Sequence, residues 1–384
     1  MCSRKRKVLF VIDSLQAGGA EKSICEIASR MSQFDPSIAI LFPDRDELRD
    51  SALRQGLQIY DLSLNRYSRS WFFQGKSRFE KICRDLQPAV VHAHLFKSEM
   101  IARLSKRPAS TALVGAFVND SYSDARYSKQ SFLQNQKLNV IKFLDKITIG
   151  RNFRITTISK TIGTSNSAVL GYPIEKVKLI YRGRETKNNI DEATRPDGPF
   201  RFLVVARLLV RKGYFELIEA ARILDGKNKQ FQILVAGDGV DRETIKDYAS
   251  KKGISDKVEF LGYRSDVNQL LAISDCFVFP SHYEGQGGAL IEAMLAAKPI
   301  VVSDIPVFKE QVTANETGVF FKVGDGFDLA KTMEWVMDNY SMAREMGLKA
   351  RIVAEEKFNI EKVVAEYEQF YSDVVRSWAE RHSD

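Results

Sequence analysis

Residues 276 to 305 read CFVFPSHYEGQGGALIEAMLAAKPIVVSDI. A short apolar run, a loop holding Gly285, Gly287 and Gly288, a helical segment from about Ala289 and a second apolar run follow one another. Strands apolar on both sides belong to parallel sheets covered by helices on both faces, because inside–outside alternation disappears when neither face meets water. The same order recurs outward from this stretch. In the second half it returns as FRFLVVARL from Phe200, QFQILVAG from Gln230 and KVEFLG from Lys257. In the first half it returns as KVLFVID (7–13), SIAILF (37–42), GLQIYDL (56–62), AVVHAHL (89–95) and TALVGAF (111–117), with helical patterns from about Glu21 and through 75–86. The pattern predicts two doubly wound α/β domains, Rossmann-like, with ligands held beyond the carboxyl ends of their strands.

The boundary is expected in KNNIDEATRPDGPF (187–200), a polar stretch with Pro196, Gly198 and Pro199. This divides the chain into domains 1–187 and 188–360. An amphipathic last helix, 361–384, is expected to cross back to the first domain. A length of 384 residues suits two domains, and 44% apolar with 28% charged residues excludes disordered, collagenous and disulfide-stapled classes. Cys2, Cys25, Cys83 and Cys276 form no CxxC pair, so neither a disulfide framework nor a zinc knuckle is suggested. No apolar run approaches the roughly 20 residues of a membrane span, and MCSRKRKVLFVIDS is too short in its apolar part for a signal peptide. A cytoplasmic protein is expected.

The net charge of +8 conceals a split. Residues 1–190 hold 32 Lys and Arg against 17 Asp and Glu, a balance of +15, whereas the rest hold 25 against 32, a balance of −7. A one-sided excess of this kind suits a polyanionic partner, nucleic acid or an anionic lipid surface. Arg66, Arg69, Lys76, Arg78 and Lys81 surround Trp71, Phe72 and Phe73, while Arg126, Lys129, Lys137, Lys142 and Lys146 interleave with Phe132, Leu133, Val140, Ile141 and Leu144. The second group reads either as a basic amphipathic helix lying in a bilayer interface or as a surface helix packed on its own core. Neither patch has a helix-turn-helix or RNP-like setting, so nucleic acid is not expected as a partner.

Several strand ends carry chemistry. LQAGGAEKS (15–23) places Gly18 and Gly19 in a strand-to-helix turn that admits close approach of a ligand, yet it is neither GxGxxG nor a P-loop. Arg207 and Lys212 flank the start of another helix, where two cations neutralise a diphosphate without a metal or form a solvated basic turn. Gly237 lies in AGDG (236–239). Glu284 and Glu292, eight positions apart around the glycine loop, offer carboxylates to sugar hydroxyls beside helix amides that suit phosphate. A glycosidase pair is the rival reading, but it has no need of a phosphate cradle.

Together these motifs make the chain resemble the family 4 glycosyltransferases, two-domain proteins of the GT-B fold. The resemblance rests on GGAEK (18–22), HAHLFKS (92–98), ISK (158–160), ARLLVRKG (206–213), AGDG, FLGYRSDV (260–267) and the E-x7-E run EGQGGALIE (284–292). It implies two domains facing a central cleft. It further implies that Arg207 and Lys212 hold the donor diphosphate, Glu292 the ribose and Glu284 the donor sugar. The backbone of Gly287, Gly288, Ala289 and Leu290 would line phosphate and sugar, with Gly18 and Gly19 over the phosphates and the base near Gly262, Tyr263 and Arg264. Transfer in this family retains anomeric configuration without a bound metal, and the nucleotide-sugar is a substrate, so no cofactor is implied.

The implied reaction passes a sugar to a saccharide or lipid-linked acceptor in bacterial surface polysaccharide assembly, on the cytoplasmic face of the inner membrane. Where many members carry a histidine, this chain has Val118, Asn119 and Asp120, so Asn119 or Asp120 substitutes for it or is a turn residue. His92 and His94 share a strand face, and acceptor orientation or packing suits them better than metal ligation. The rival functions are a nucleotide-sugar epimerase of the same fold and an inactive nucleotide-sugar-binding protein.

Overall fold

Alternate residues of the first strands belong to different cores. Val8, Phe10, Ile38 and Ile40 are buried on one side with Val90 and Val114, whereas Leu9, Val11 and Ala39 are buried on the other with Val91 and Leu113. Successive side chains of a strand point to opposite faces, so a sheet covered on both sides needs apolar residues at every position. The computed structural model describes residues 5–16, 18–44, 46–128, 130–186 and 198–382. Residues 187–197, which include most of the expected boundary, lie outside the described residues, as do Cys2 and Lys129.

The chain forms two compact units, one of Met1–Gly183 with Ile360–Asp384 and one of Arg184–Asn359. The first holds seven strands: β1 (Arg6–Ile12), β2 (Phe34–Ile40), β3 (Gln58–Asp61), β4 (Val90–Ala93), β5 (Ala112–Phe117), β6 (Arg154–Thr157) and β7 (Val177–Leu179). They lie in the order β3-β2-β1-β4-β5-β6-β7, every pairing parallel. The second unit holds β8 (Phe200–Val205), β9 (Phe231–Ala236), β10 (Val258–Gly262), β11 (Cys276–Phe279), β12 (Ile300–Ser303) and β13 (Val319–Phe321), in the order β10-β9-β8-β11-β12-β13, again all parallel. In each sheet the direction of winding reverses once, between β1 and β4 and between β8 and β11. At such a reversal the flanking connections leave a crevice at the carboxyl ends, where open α/β sheets bind ligands.

Three strands escape the sequence reading. β6 is RITT, β7 is VKL and β13 is VFF. Two are only three residues long and the third is half threonine, so none offers the continuous apolar run that marks its neighbours. The helix Ile360–Arg381 buries Val363, Tyr367, Tyr371 and Val374 in the core of the first unit, against Val8, Phe10 and Val90. Tyr371 Oη lies 2.7 Å from His92 Nδ1, and Thr156 Oγ1 lies 3.0 Å from His92 Nε2. Both ring nitrogens of His92 are therefore occupied, and this histidine is a packed residue of the sheet.

Candidate active site

In the second unit the connections after β8 and β11 approach each other closely. Gly213 has φ +76, and a Cβ there would overlap the Pro280 carbonyl, so only glycine fits the turn that begins the helix Tyr214–Gly226. This brings Lys212, 7% exposed, beside Glu284, the two forming an ion pair. Ser281 Oγ donates to the same carboxylate at 2.8 Å, and the ammonium sits 5.4 Å from the Phe279 ring centroid. Burial works against ionisation of Glu284, but Lys212, Arg211 and Ser281 outweigh it and hold the carboxyl below its ordinary range. Burial also pulls the Lys212 ammonium down, with Glu284 opposing.

Glu292 lies on the helix Gly288–Leu295 and accepts from Arg184 Nε at 3.0 Å. The Arg184 guanidinium passes so close to the helix start that a Cβ on Gly288 would strike it. The Gly287 carbonyl accepts from Leu290 N (3.0 Å) and Ile291 N (3.3 Å). Among the described residues this leaves the amides of Gly288 and Ala289 without a backbone partner at the positive end of the helix.

The remaining expected residues of this unit are more varied. Arg207 is exposed. Gly237 N donates to Gly262 O at 2.7 Å, so that amide is committed to the backbone. Tyr263 is exposed, and Arg264 pairs with Asp266 at 2.5 Å. Sequence reasoning missed Arg184, Ser281 and Arg211, of which Arg211 reaches the Tyr283 carbonyl at 3.4 Å. The pair of arginines in YRGRE (181–185), next to the expected boundary, was the one available signal for Arg184.

In the first unit Gly18 and Gly19 open the helix Gly19–Ala28. An Arg182 nitrogen lies 2.9 Å from where a Gly19 Cβ would stand. His94 follows β4 and is almost wholly buried, with Nε2 lacking a hydrogen-bond partner among the described residues. Burial, reinforced by Arg182, pulls its imidazole down to about 3, so it is neutral near pH 7. Asn119 and Asp120 are tied to the helix Lys160–Leu170, Asn166 Nδ2 donating to Asn119 O at 2.9 Å and Ser165 Oγ to Asp120 Oδ1 at 3.2 Å. Burial pushes the Asp120 carboxyl up. Asn119 also lines a cavity of about 200 Å³ together with Leu138, Ile141 and Asn166, whose Oδ1 is without a partner among the described residues.

Both aromatic, basic patches rearrange relative to expectation. Trp71 and Phe72 pack against a core and only Phe73 of that trio is largely exposed, because the helix Trp71–Leu86 turns its first residues onto the sheet. On the helix Phe132–Thr148 the outward apolar stripe is Phe132, Leu133, Val140, Phe143 and Ile147, whereas Leu138 is buried and Ile141 and Leu144 are half-buried. Lys137 and Lys146 flank the stripe in solvent. Among the described residues no helix is long and apolar enough to cross a membrane.

Two family models match successive parts of the chain. Residues 17–188 match the model described as Glycosyltransferase Family 4, and residues 185–353 match Glycosyl transferases group 1. The chain belongs to the family 4 glycosyltransferases. Among its relatives are the N-acetyl-alpha-D-glucosaminyl L-malate synthase of Bacillus anthracis, 34% identical over 38% of each chain, and the lipopolysaccharide core biosynthesis glycosyltransferase LpsE of Rhizobium meliloti, 26% identical over 46% of this chain and 50% of that one. The chain spans less than half the length of the first curated relatives it matches, 45% and 38%. Among solved structures, Anabaena HepE in complex with UDP and glucose superposes with a TM-score of 0.81 at 19% identity, covering 96% of this chain and 100% of that one. The fold of this family 4 member is thus two parallel-sheet Rossmann-like units, as its sequence predicts.

Proposed function

We propose that the protein is a retaining, nucleotide-sugar-dependent glycosyltransferase whose donor site is the strand-end crevice of the second unit. The observation that carries this reading is the buried Lys212–Glu284 pair beside the free amides of Gly288 and Ala289. A diphosphate there exchanges with Glu284 for the ammonium, and the carboxylate so released turns to the hydroxyls of the donor sugar. Glu292 takes the ribose, Arg207 adds a cation from solvent, and Gly262, Tyr263 and Arg264 lie toward the base. The acceptor belongs to the first unit, with His94, Asn119 and Asp120 near it.

The step itself breaks the bond between the anomeric carbon and the leaving phosphate oxygen, the electron pair going to phosphate. The acceptor oxygen bonds to the same face of that carbon, and its proton passes to the departing phosphate. Negative charge grows on the nucleotide, so a preplaced Lys212 and Arg207 stabilise the transition state more than the ground state.

Surface polysaccharide assembly is the setting favoured by the lipopolysaccharide-related name of one relative. A lipid-linked acceptor fits the helix Phe132–Thr148, whose outward Phe132, Leu133, Val140, Phe143 and Ile147 suit the interface of an anionic bilayer. The reading is tested by thermal denaturation with a panel of nucleoside diphosphates and nucleotide-sugars, each variant referred to its own unliganded Tm. A selective rise in Tm that Glu292→Ala abolishes is expected. A folded sample that responds to no nucleotide would point to an inactive relative, and release of an altered donor without saccharide product to an epimerase.

A further inference from the structure

The reversal point of the first sheet carries a second group of side chains that the donor reading does not use. Lys97 is the second residue of the helix Phe96–Leu104, directly after β4. Its Nζ lies 4.7 Å from the Phe42 ring centroid and 5.3 Å from that of Trp71, and the two rings are 5.8 Å apart. The Arg66 guanidinium is 5.2 Å from the same Phe42 ring. Phe42 follows β2, Asp13 follows β1 and Lys97 follows β4, so the group occupies the carboxyl ends around the reversal.

The charges here do not close on themselves as they do around Glu284. Arg66 is matched by Asp44 at 2.8 Å. Asp13 accepts from Ser98 N at 3.1 Å and Ser98 Oγ at 2.7 Å, and burial pushes its carboxyl toward the neutral form, against the pull of those two hydrogen bonds and of the Lys97 and Arg66 charges, neither of which forms an ion pair with it. Lys97 makes no hydrogen bond or ion pair among the described residues, although it is half-buried and two aromatic rings occupy the space of its hydration shell. An ammonium partly stripped of water with its donors unmatched favours an anionic oxygen. The half-buried Trp71 beside it supplies an apolar face against which the carbon side of a sugar ring packs.

Resting on the glycosyl-transfer reading, we propose that Phe42, Arg66, Trp71 and Lys97 form the acceptor subsite, and that the acceptor is a saccharide bearing a phosphoryl or carboxylate group. Lys97 meets the anion, Arg66 widens the positive field and Trp71 carries the ring. The proposal narrows the acceptor to an anionic sugar and assigns its recognition to residues outside every motif of the donor site.

The test is calorimetric titration of the full chain with glucose 6-phosphate, glucuronate, glucose and inorganic phosphate, in the unaltered protein and in Lys97→Met, Arg66→Gln and Lys212→Ala. The charged sugars are expected to bind at least about tenfold more tightly than glucose. Lys97→Met removes that preference, Arg66→Gln weakens it about threefold, and Lys212→Ala leaves it. The tighter of glucose 6-phosphate and glucuronate names the anionic group. Equal affinity for charged and neutral sugars, a preference that survives in folded Lys97→Met, or inorganic phosphate binding as tightly as glucose 6-phosphate would each overturn the proposal. Should Lys97→Met fail to fold, an unchanged preference in Arg66→Gln overturns it instead. Loss of the nucleotide-induced rise in Tm, with the Lys97-dependent preference intact, would defeat the donor reading alone.

Discussion

The two units place comparable side chains at comparable points of their sheets and leave them in different states. At the β8/β11 reversal the charges face one another, Lys212 with Glu284 and Arg184 with Glu292, all of them largely out of water. At the β1/β4 reversal the ammonium of Lys97 makes no hydrogen bond or ion pair among the described residues, and His94 Nε2 has no partner there, just as His282 Nδ1 and Gln311 Oε1 have none in the second unit, so the difference lies in the charged groups. A buried cation that already holds a carboxylate, as Lys212 and Arg184 do, keeps its place without ligand, and a diphosphate substitutes for one partner at little rearrangement. A half-buried ammonium with no partner has donors that an anionic ligand can satisfy. On the function proposed above, the contrast falls between the unit assigned to the nucleotide-sugar and the unit assigned to the acceptor.

The contrast can be broken most forcefully at Glu292. Glu292→Ala leaves Arg184, 5% exposed, without this partner, and removal of one member of a buried pair costs about 3–5 kcal/mol. The unliganded Tm of this variant should fall clearly, and a Tm equal to the unaltered chain would mean that the pair contributes nothing to the resting crevice. Lys212→Ala comes next, with sugar transfer expected to drop about 10²-fold or more in kcat. An unchanged rate would remove the lysine from the reaction.

Acid then separates the units. His94 has its folded value pulled to about 3 against an ordinary 6.5, so the neutral form is favoured in the folded state and the unfolded chain binds the extra proton. Its contribution is complete above pH 6.5 and declines as pH falls toward 3, by about 1.4 kcal/mol per unit, or roughly 2 kcal/mol between pH 6.5 and 5. Urea denaturation at the two pH values, compared with His94→Gln, should show a smaller loss in the variant. An equal loss in both would mean that the histidine is not held neutral. The smallest effect is expected at the surface, where Phe143→Asp should weaken binding to mixed phosphatidylglycerol and phosphatidylcholine vesicles about tenfold with Tm unchanged. Unaltered vesicle binding would return the helix Phe132–Thr148 to ordinary surface.

Legibility followed distance along the chain. The runs FLVV and ILVA announce β8 and β9 because strands covered on both faces need apolar residues throughout, whereas RITT and VKL do not announce β6 and β7. In the crevice, the glycine loop and its two glutamates lie within nine residues and can be read together. Arg184 is 108 positions from Glu292, and Phe42 is far from both Trp71 and Lys97, so no local pattern links them. The helix Phe132–Thr148 was recognised as basic and amphipathic, but which residues face outward depends on how Leu138 docks, and that is settled by the sheet beneath it.

The helix Ile360–Arg381 has a consequence for how the molecule is made. Its Tyr371 completes the core of the first unit against Phe10, Phe34 and His92. Translation reaches Tyr371 only after all of Arg184–Asn359 has been produced, so the nascent first unit must wait with that face of its sheet uncovered while the second unit can already close. Of the two units, the one whose synthesis starts earlier is the later to be finished.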